Sequence, residues 1–163
     1  MDTLAERLDR IHLRVRVPGM AIYGELSDRR RIAISFGEDT YPWMNEPRLE
    51  QALAVVARLL TAGWAQEYHR AMRNSGLEVS LSPDLRDDDY EQARAELTAT
   101  GASADGLVTI SAVNLRDFAV GITRGTIREV PEREFVASAN EAAAAFLADH
   151  MAKIRELQHR HLS

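Results

Sequence analysis

The feature that most constrains this chain is a hydrophobic register that occurs twice. Met20 to Phe36, "MAIYGELSDRRRIAISF", reads as two short strands joined by a polar turn, and Leu107 to Ile122, "LVTISAVNLRDFAVGI", reads the same way. Ile32, Ile34 and Phe36 align with Phe118, Val120 and Ile122, 86 positions later. The alignment runs on through Thr40 and Tyr41, which meet Thr126 and Ile127. It then enters a helical stripe, where Leu49, Leu53, Val56, Ala57 and Leu60 meet Phe135, Ala139, Ala142, Ala143 and Phe146. Before the hairpin turn, matching Gly19 to Gly106 and Met20 to Leu107 moves the offset to 87, a one-residue difference in turn length. Apolar residues at period two and then at period 3.6 mark strands followed by a helix. Their recurrence predicts a duplicated helix–strand–strand–strand–helix unit.

The remaining punctuation fits that plan. Leu4, Leu8 and Ile11 give a short amphipathic helix over Asp2 to Ile11, and "HLRVRV" then alternates as a strand that Pro18-Gly19 breaks. "SDRRR" turns the chain between Leu26 and Ile32, and Pro42 and Pro47 prevent a strand or helix from running through "GEDTYPWMNEP". A helix is expected from Glu46 to about Arg73, with Asn45 as N-cap and Pro47 in the first turn. "LEVSLSPDLRDDD" connects the halves and has room for a short strand through Leu77, Val79 and Leu81 before Pro83. A short helix over Tyr90 to about Thr98 follows, and "TATGASADG" reads as a loop or weak strand. "RGTIREVPE" reads as a loop, and a long helix runs from Glu132 to about His159, roughly 40 Å at ~1.5 Å per residue. The expected architecture is α+β: two units, antiparallel strands and long helices, about a pseudo-two-fold. Unit 1 covers residues 1–76, a linker covers 77–89 and unit 2 covers 90–163.

Composition removes several function classes. The 163 residues contain no cysteine, so disulfide and thiolate chemistry are out. No run of about 18 apolar residues predicts a membrane span, and Met1 to Arg10 lacks the apolar core of a signal peptide. A cytoplasmic location is the resulting expectation. The net charge of −5 opposes nonspecific nucleic-acid binding, but it is unevenly placed. Met1 to Gly76 carries eleven arginines against ten acids, and Leu77 to Ser163 nine basic residues against fifteen acids. Nineteen of the twenty basic residues are Arg, which suits a GC-rich coding sequence and also phosphate binding.

The second half resembles the YbaB/EbfC family of small nucleoid-associated proteins. The resemblance is carried by Tyr90 to Met151, through Ser103-Ala104-Asp105-Gly106, the strands Val108 to Val113 and Val120 to Ile122, and the alanine-rich helix after Pro131. The first half is similar more loosely, through Gly19, Ile22, Ile32, Ile34 and the helix from Arg48. Members are typically one unit per chain and form a tweezer-like homodimer on DNA. Two units in one chain therefore imply a built-in pseudo-dimer, monomeric or itself dimerised, with double-stranded DNA as the expected partner and the nucleoid as the expected location. Divergent actinobacterial relatives of this fold look like accessory proteins of type VII secretion, so the alternative is a protein-interaction module that keeps the fold without binding DNA.

No catalytic or metal-binding constellation stands out. His159-x-His161 lacks further ligands, the glycines form no phosphate-binding loop, and no Ser/His/Asp set can be assembled. The expectation is a non-enzymatic protein without a cofactor. The candidate DNA-binding residues are Arg7 and Arg10 on the first helix, Arg14 and Arg16 on one face of the first strand, Arg70 and Arg73 at the end of the first long helix, and Lys153, Arg155 and Arg160 at the end of the second. Two basic tips on either side of a duplex would grip phosphates. Basic groups at helix C-termini also suit the helix dipole without any ligand. No exposed interleaving of aromatic and basic residues is evident. Tyr41, Trp43 and Met44 form an aromatic loop, read as a lid over the sheet or as a protein-binding patch.

Overall fold

In a computed structural model of the chain, the described residues are 3–74 and 88–162. The expected linker strand, the helix stop at Ser75-Gly76 and the break at Pro83 lie outside them. Helix α1 (Leu4–Asp9) is capped by Thr3, whose Oγ1 accepts the Glu6 amide at 3.1 Å. Strands β1 (Leu13–Arg16), β2 (Ile22–Ser27) and β3 (Arg31–Phe36) form an antiparallel sheet in that order. Alternation decides its faces: Ile22, Leu26 and Ile34 are buried beneath the sheet, while Arg14 and Arg16 stand on the open side. A 3-10 turn, Tyr41–Trp43, leads into α2 (Glu46–Asn74), where Asn45 Oδ1 accepts the Arg48 amide at 2.9 Å as the N-cap expected there.

The second unit repeats the order with α3 (Asp88–Ala95), β4 (Thr98–Ala102), β5 (Val108–Val113), β6 (Asp117–Ile122), α4 (Thr126–Glu129) and α5 (Glu132–Leu162). The chain is α+β, with two similar units that each carry a three-stranded antiparallel sheet and a long helix. "TATGASADG", which reads as a loop or weak strand, holds a strand: all five residues of "TATGA" pair with Val113 to Thr109 of β5. Its small side chains make it a poor strand in isolation, and the ladder overrides that. "TIRE" is a short helix rather than a loop, entered through Gly125 in the left-handed conformation.

Between the units the register is 86 throughout; the change to 87 is not found. Ile22–Phe36 pairing becomes Val108–Ile122, and Leu13–Leu26 becomes Ala99–Ala112. The hairpin turns match as well, with left-handed residues at Asp28 and Arg29 and again at Asn114 and Leu115. The glycines mislead because they occupy different places in equivalent turns. Met20 and Gly106 donate their amides to Val17 and Ser103, closing the same four-residue turn. Gly19 is left-handed at its third position, as a type II turn after Pro18 requires, whereas Gly106 is left-handed at its fourth.

A second glycine exchange sets how each helix meets its sheet. Val15 faces Gly24 in unit 1, and at the equivalent pair Gly101 faces Ile110 in unit 2. A Cβ on Gly24 would come 2.3 Å from Val56 Cγ1, and one on Gly101 would come 2.2 Å from the Phe146 amide nitrogen. The α5 backbone therefore rests on edge strand β4, while α2 sends a side chain onto the middle strand β2.

The units share one core. Leu49 and Phe135, equivalent residues, are both fully buried, as are Ile22 and Val108. Phe36, Tyr41 and Phe135 form an aromatic cluster across the seam, with ring centroids 5.4 to 6.1 Å apart. Tyr41 donates its hydroxyl to Val130 O at 2.8 Å, and burial, reinforced by Glu46 and Glu132, pushes its pKa up to about 12. Each inner sheet edge is closed by the other unit's helix. Ile122 donates its amide to Glu50 Oε2 at 2.8 Å, and Ile34 donates to Asn140 Oδ1 at 2.9 Å. Edge strand β4 is closed by its own helix: Thr100 donates its amide to Asp149 Oδ2 at 2.8 Å, and Lys153 Nζ donates to Thr98 O at 2.8 Å.

Candidate nucleic-acid interface

The basic residues of unit 1 gather in two adjoining places. On the open face of the first sheet, strand pairing sets Arg16 opposite Tyr23 and Arg14 opposite Glu25. The Arg14 and Arg16 guanidinium carbons lie 4.9 and 5.7 Å from the Tyr23 ring centroid, within cation–π range. Arg16 Nε also donates to Met20 O at 3.0 Å, and Arg14 Nε lies 3.6 Å from Glu25 Oε1. His12 reaches the same carboxylate at 3.4 Å. Both guanidiniums are held in place yet remain exposed, with Arg14 62% accessible along its side chain. The equivalent positions of unit 2 are Thr100, Ala102, Thr109 and Ser111, without charge or aromatic ring.

Basic and aromatic groups are thus interleaved, contrary to the sequence reading. The interleaving is across strands. Folding the chain at the Pro18-Gly19 turn sets Tyr23 beside Arg16, and this pairing was the signal available in the sequence.

The second place is an open cleft of about 300 Å³ between α1 and the end of α2, lined by Arg7, Ile11, Glu67, Arg70, Ala71 and Asn74. Arg7 Nη1 is shielded from solvent and has no hydrogen-bond partner among the described residues. Arg70 pairs with Glu67 at 3.2 Å, one turn away. Arg10 caps α1, and Arg73 is exposed in the last turn of α2.

The tip of unit 2 is different. Lys153 is held by Asp149 at 3.0 Å and by Thr98 O, so it serves the β4 edge. The Thr100 amide, with Lys153 nearby, holds the Asp149 carboxyl below the usual carboxylate range. Arg160 pairs with Glu156 at 2.6 Å, leaving Arg155 as an exposed side chain without an ion pair among the described residues. The structure brings Arg7 together with Arg70 and Arg14 together with Arg16, but it does not give the two helix tips equal character.

The motif behind the family resemblance has a structural task. Ser103 Oγ and Ser138 Oγ donate to the two oxygens of Asp105 at 2.6 and 2.5 Å, and the Leu107 amide donates to it at 3.0 Å. These bonds lower the Asp105 pKa and tie the β4–β5 turn to α5. The aromatic loop divides: Tyr41 and Met44 are buried as a lid, whereas Trp43 is 79% exposed. No family model, curated protein or solved structure matches the chain. Among the described residues, no helix is long and apolar enough to cross a membrane.

Proposed function

We propose that the protein is a non-enzymatic nucleic-acid-binding protein that contacts phosphates with little sequence specificity through its first unit. The observation that carries this reading is the pair of guanidiniums, Arg14 and Arg16, fixed against Tyr23 on an open sheet face. Arginine forks held by an aromatic ring present several donors with little left to order on binding. The adjoining Arg7 and Arg70 cleft extends the basic surface. Glu46 and Glu50, which would dilute that charge, accept the Gly125 and Ile122 amides in the seam. The resemblance to the YbaB/EbfC family supports the same reading, with unit 1 as the binding half and unit 2 as its scaffold.

The test is fluorescence anisotropy of a labelled duplex oligonucleotide at two salt concentrations. Affinity should fall steeply with salt, and R14A/R16A and R70A/R73A should each weaken binding while K153A/R160A leaves it nearly unchanged. No binding at micromolar protein in low salt would overturn the reading. A protein-interaction or secretion-accessory role is the second reading, favoured by the exposure of Trp43. It predicts that W43A abolishes a protein partnership without touching oligonucleotide affinity.

A further inference from the structure

Three of the four outer strands have their edges closed by helix side chains: β3 by Asn140, β6 by Glu50, and β4 by Asp149 and Lys153. The fourth, β1, is different. Val17 donates its amide to Ile22 O, which fixes the alternation of the ladder. Leu13 and Val15 turn their backbone groups to β2, and Arg14 and Arg16 turn theirs outward. Among the described residues nothing accepts the Arg14 or Arg16 amide, and nothing donates to their carbonyls. The reason lies on α2. At the positions equivalent to Asp149 and Lys153 it carries Gly63 and Glu67. Gly63 has no side chain to reach the edge, and Glu67 has no proton to give it.

From this geometry we infer that the β1 edge accepts an extended acidic peptide segment of a partner protein as a fourth strand. An edge residue offers a donor and an acceptor together, and a peptide strand matches both. A phosphate backbone offers acceptors only and would meet the Arg14 and Arg16 carbonyls unfavourably. Charge selects the kind of peptide. Side chains of the added strand on the open face lie beside Arg14 and Arg16, where Asp or Glu pairs well across strands. A second copy is a poor occupant: in an antiparallel β1–β1 pair centred on Val15, Arg14 of each copy faces Arg16 of the other.

The probe is a fluorescein-labelled peptide of alternating glutamate and valine, compared with the same peptide N-methylated at every second residue. Methylation keeps the charge and removes the donors. The unmodified peptide should bind about tenfold more tightly, the worth of one or two backbone hydrogen bonds. The Arg14 and Arg16 amides should become protected from hydrogen exchange. G63D/E67K, which installs the cap of unit 2 on unit 1 and leaves both arginines in place, should remove that difference. Equal affinity for the two peptides would reduce the effect to charge alone and overturn the inference. So would a single-stranded oligonucleotide whose binding falls with G63D/E67K, or a dimer in light scattering that this variant dissolves. Should G63D/E67K not fold, the comparison of the two peptides on the unaltered protein and the exchange of the two amides decide the matter.

Discussion

Gly101 lies directly beneath the α5 backbone, so that a methyl group there would meet the Phe146 amide nitrogen at 2.2 Å and the Ala142 carbonyl oxygen at 2.6 Å. Backbone on both sides leaves nothing to move aside. Gly101→Ala should therefore destabilise the protein by about 3 kcal/mol or more in urea unfolding. Gly24→Ala meets a side chain instead, Val56 Cγ1 at 2.3 Å, and should cost about 1–3 kcal/mol. Adding Val56→Ala should recover part of that loss, whereas Phe146→Ala should not rescue Gly101→Ala. A double-mutant cycle reads the contrast.

Glu50 closes the β6 edge across the seam. Glu50→Ala leaves the part-buried Ile122 amide without an acceptor, at about 1–3 kcal/mol. Glu50→Gln retains an acceptor oxygen and should recover most of the stability. Equal loss in the two variants, measured by urea denaturation, would mean that the hydrogen bond is not what holds this edge.

Tyr41 links seam burial to alkaline pH. Its folded pKa, about 12, exceeds the ordinary value of 10.0, so its contribution is complete below pH 10 and fades as pH rises toward 12. Absorbance near 295 nm should show one tyrosine titrating late, and Tyr41→Phe should remove that late step. Loss of the hydrogen bond to Val130 should cost about 1 kcal/mol at neutral pH.

His150 works at the other end of the scale. It is half-buried, its ring stacks on Phe146 at 6.5 Å, and burial together with the charge of Arg94 lowers its pKa despite Asp149 beside it. A lowered folded pKa means that the unfolded chain binds the proton first. The contribution is full above the unfolded value of 6.5 and is lost as pH falls below it. Thermal melts between pH 7.5 and 5 should show a decline that His150→Gln flattens.

Much of the fold was legible because both periodicities are strong. Alternation at Ile32, Ile34 and Phe36 and the stripe from Leu49 to Leu60 placed a strand and a helix, and Asn45 marked the helix start. Strand β4 was legible only as a loop or weak strand, because its small residues serve to admit a helix that the local sequence does not announce. Glycine matching misplaced the early register, since Gly19 and Gly106 serve different positions of equivalent turns. Of the site, the arginines were visible one by one. Their company was not: Tyr23 reaches Arg14 and Arg16 only through the strand ladder, and Lys153 is drawn off to Thr98 by an edge in need of a donor. The bareness of β1 is a still less local property, written in the contrast between Gly63 and Asp149.

The two seam bonds come from non-equivalent residues. Glu50 of α2 serves β6, and Asn140 of α5 serves β3, whereas the residues matching them in the other half are Val136 and Ala54. By the same equivalence a pair of first halves would lose the bond at Ile34, which would face Ala54, but would bring the Phe36 amide to Glu50; a pair of second halves would lose the bond at Ile122 but bring the Val120 amide to Asn140. Like and unlike pairs thus keep equal numbers of seam hydrogen bonds, and the choice between them falls to the aromatic packing of Phe36 and Tyr41 on Phe135.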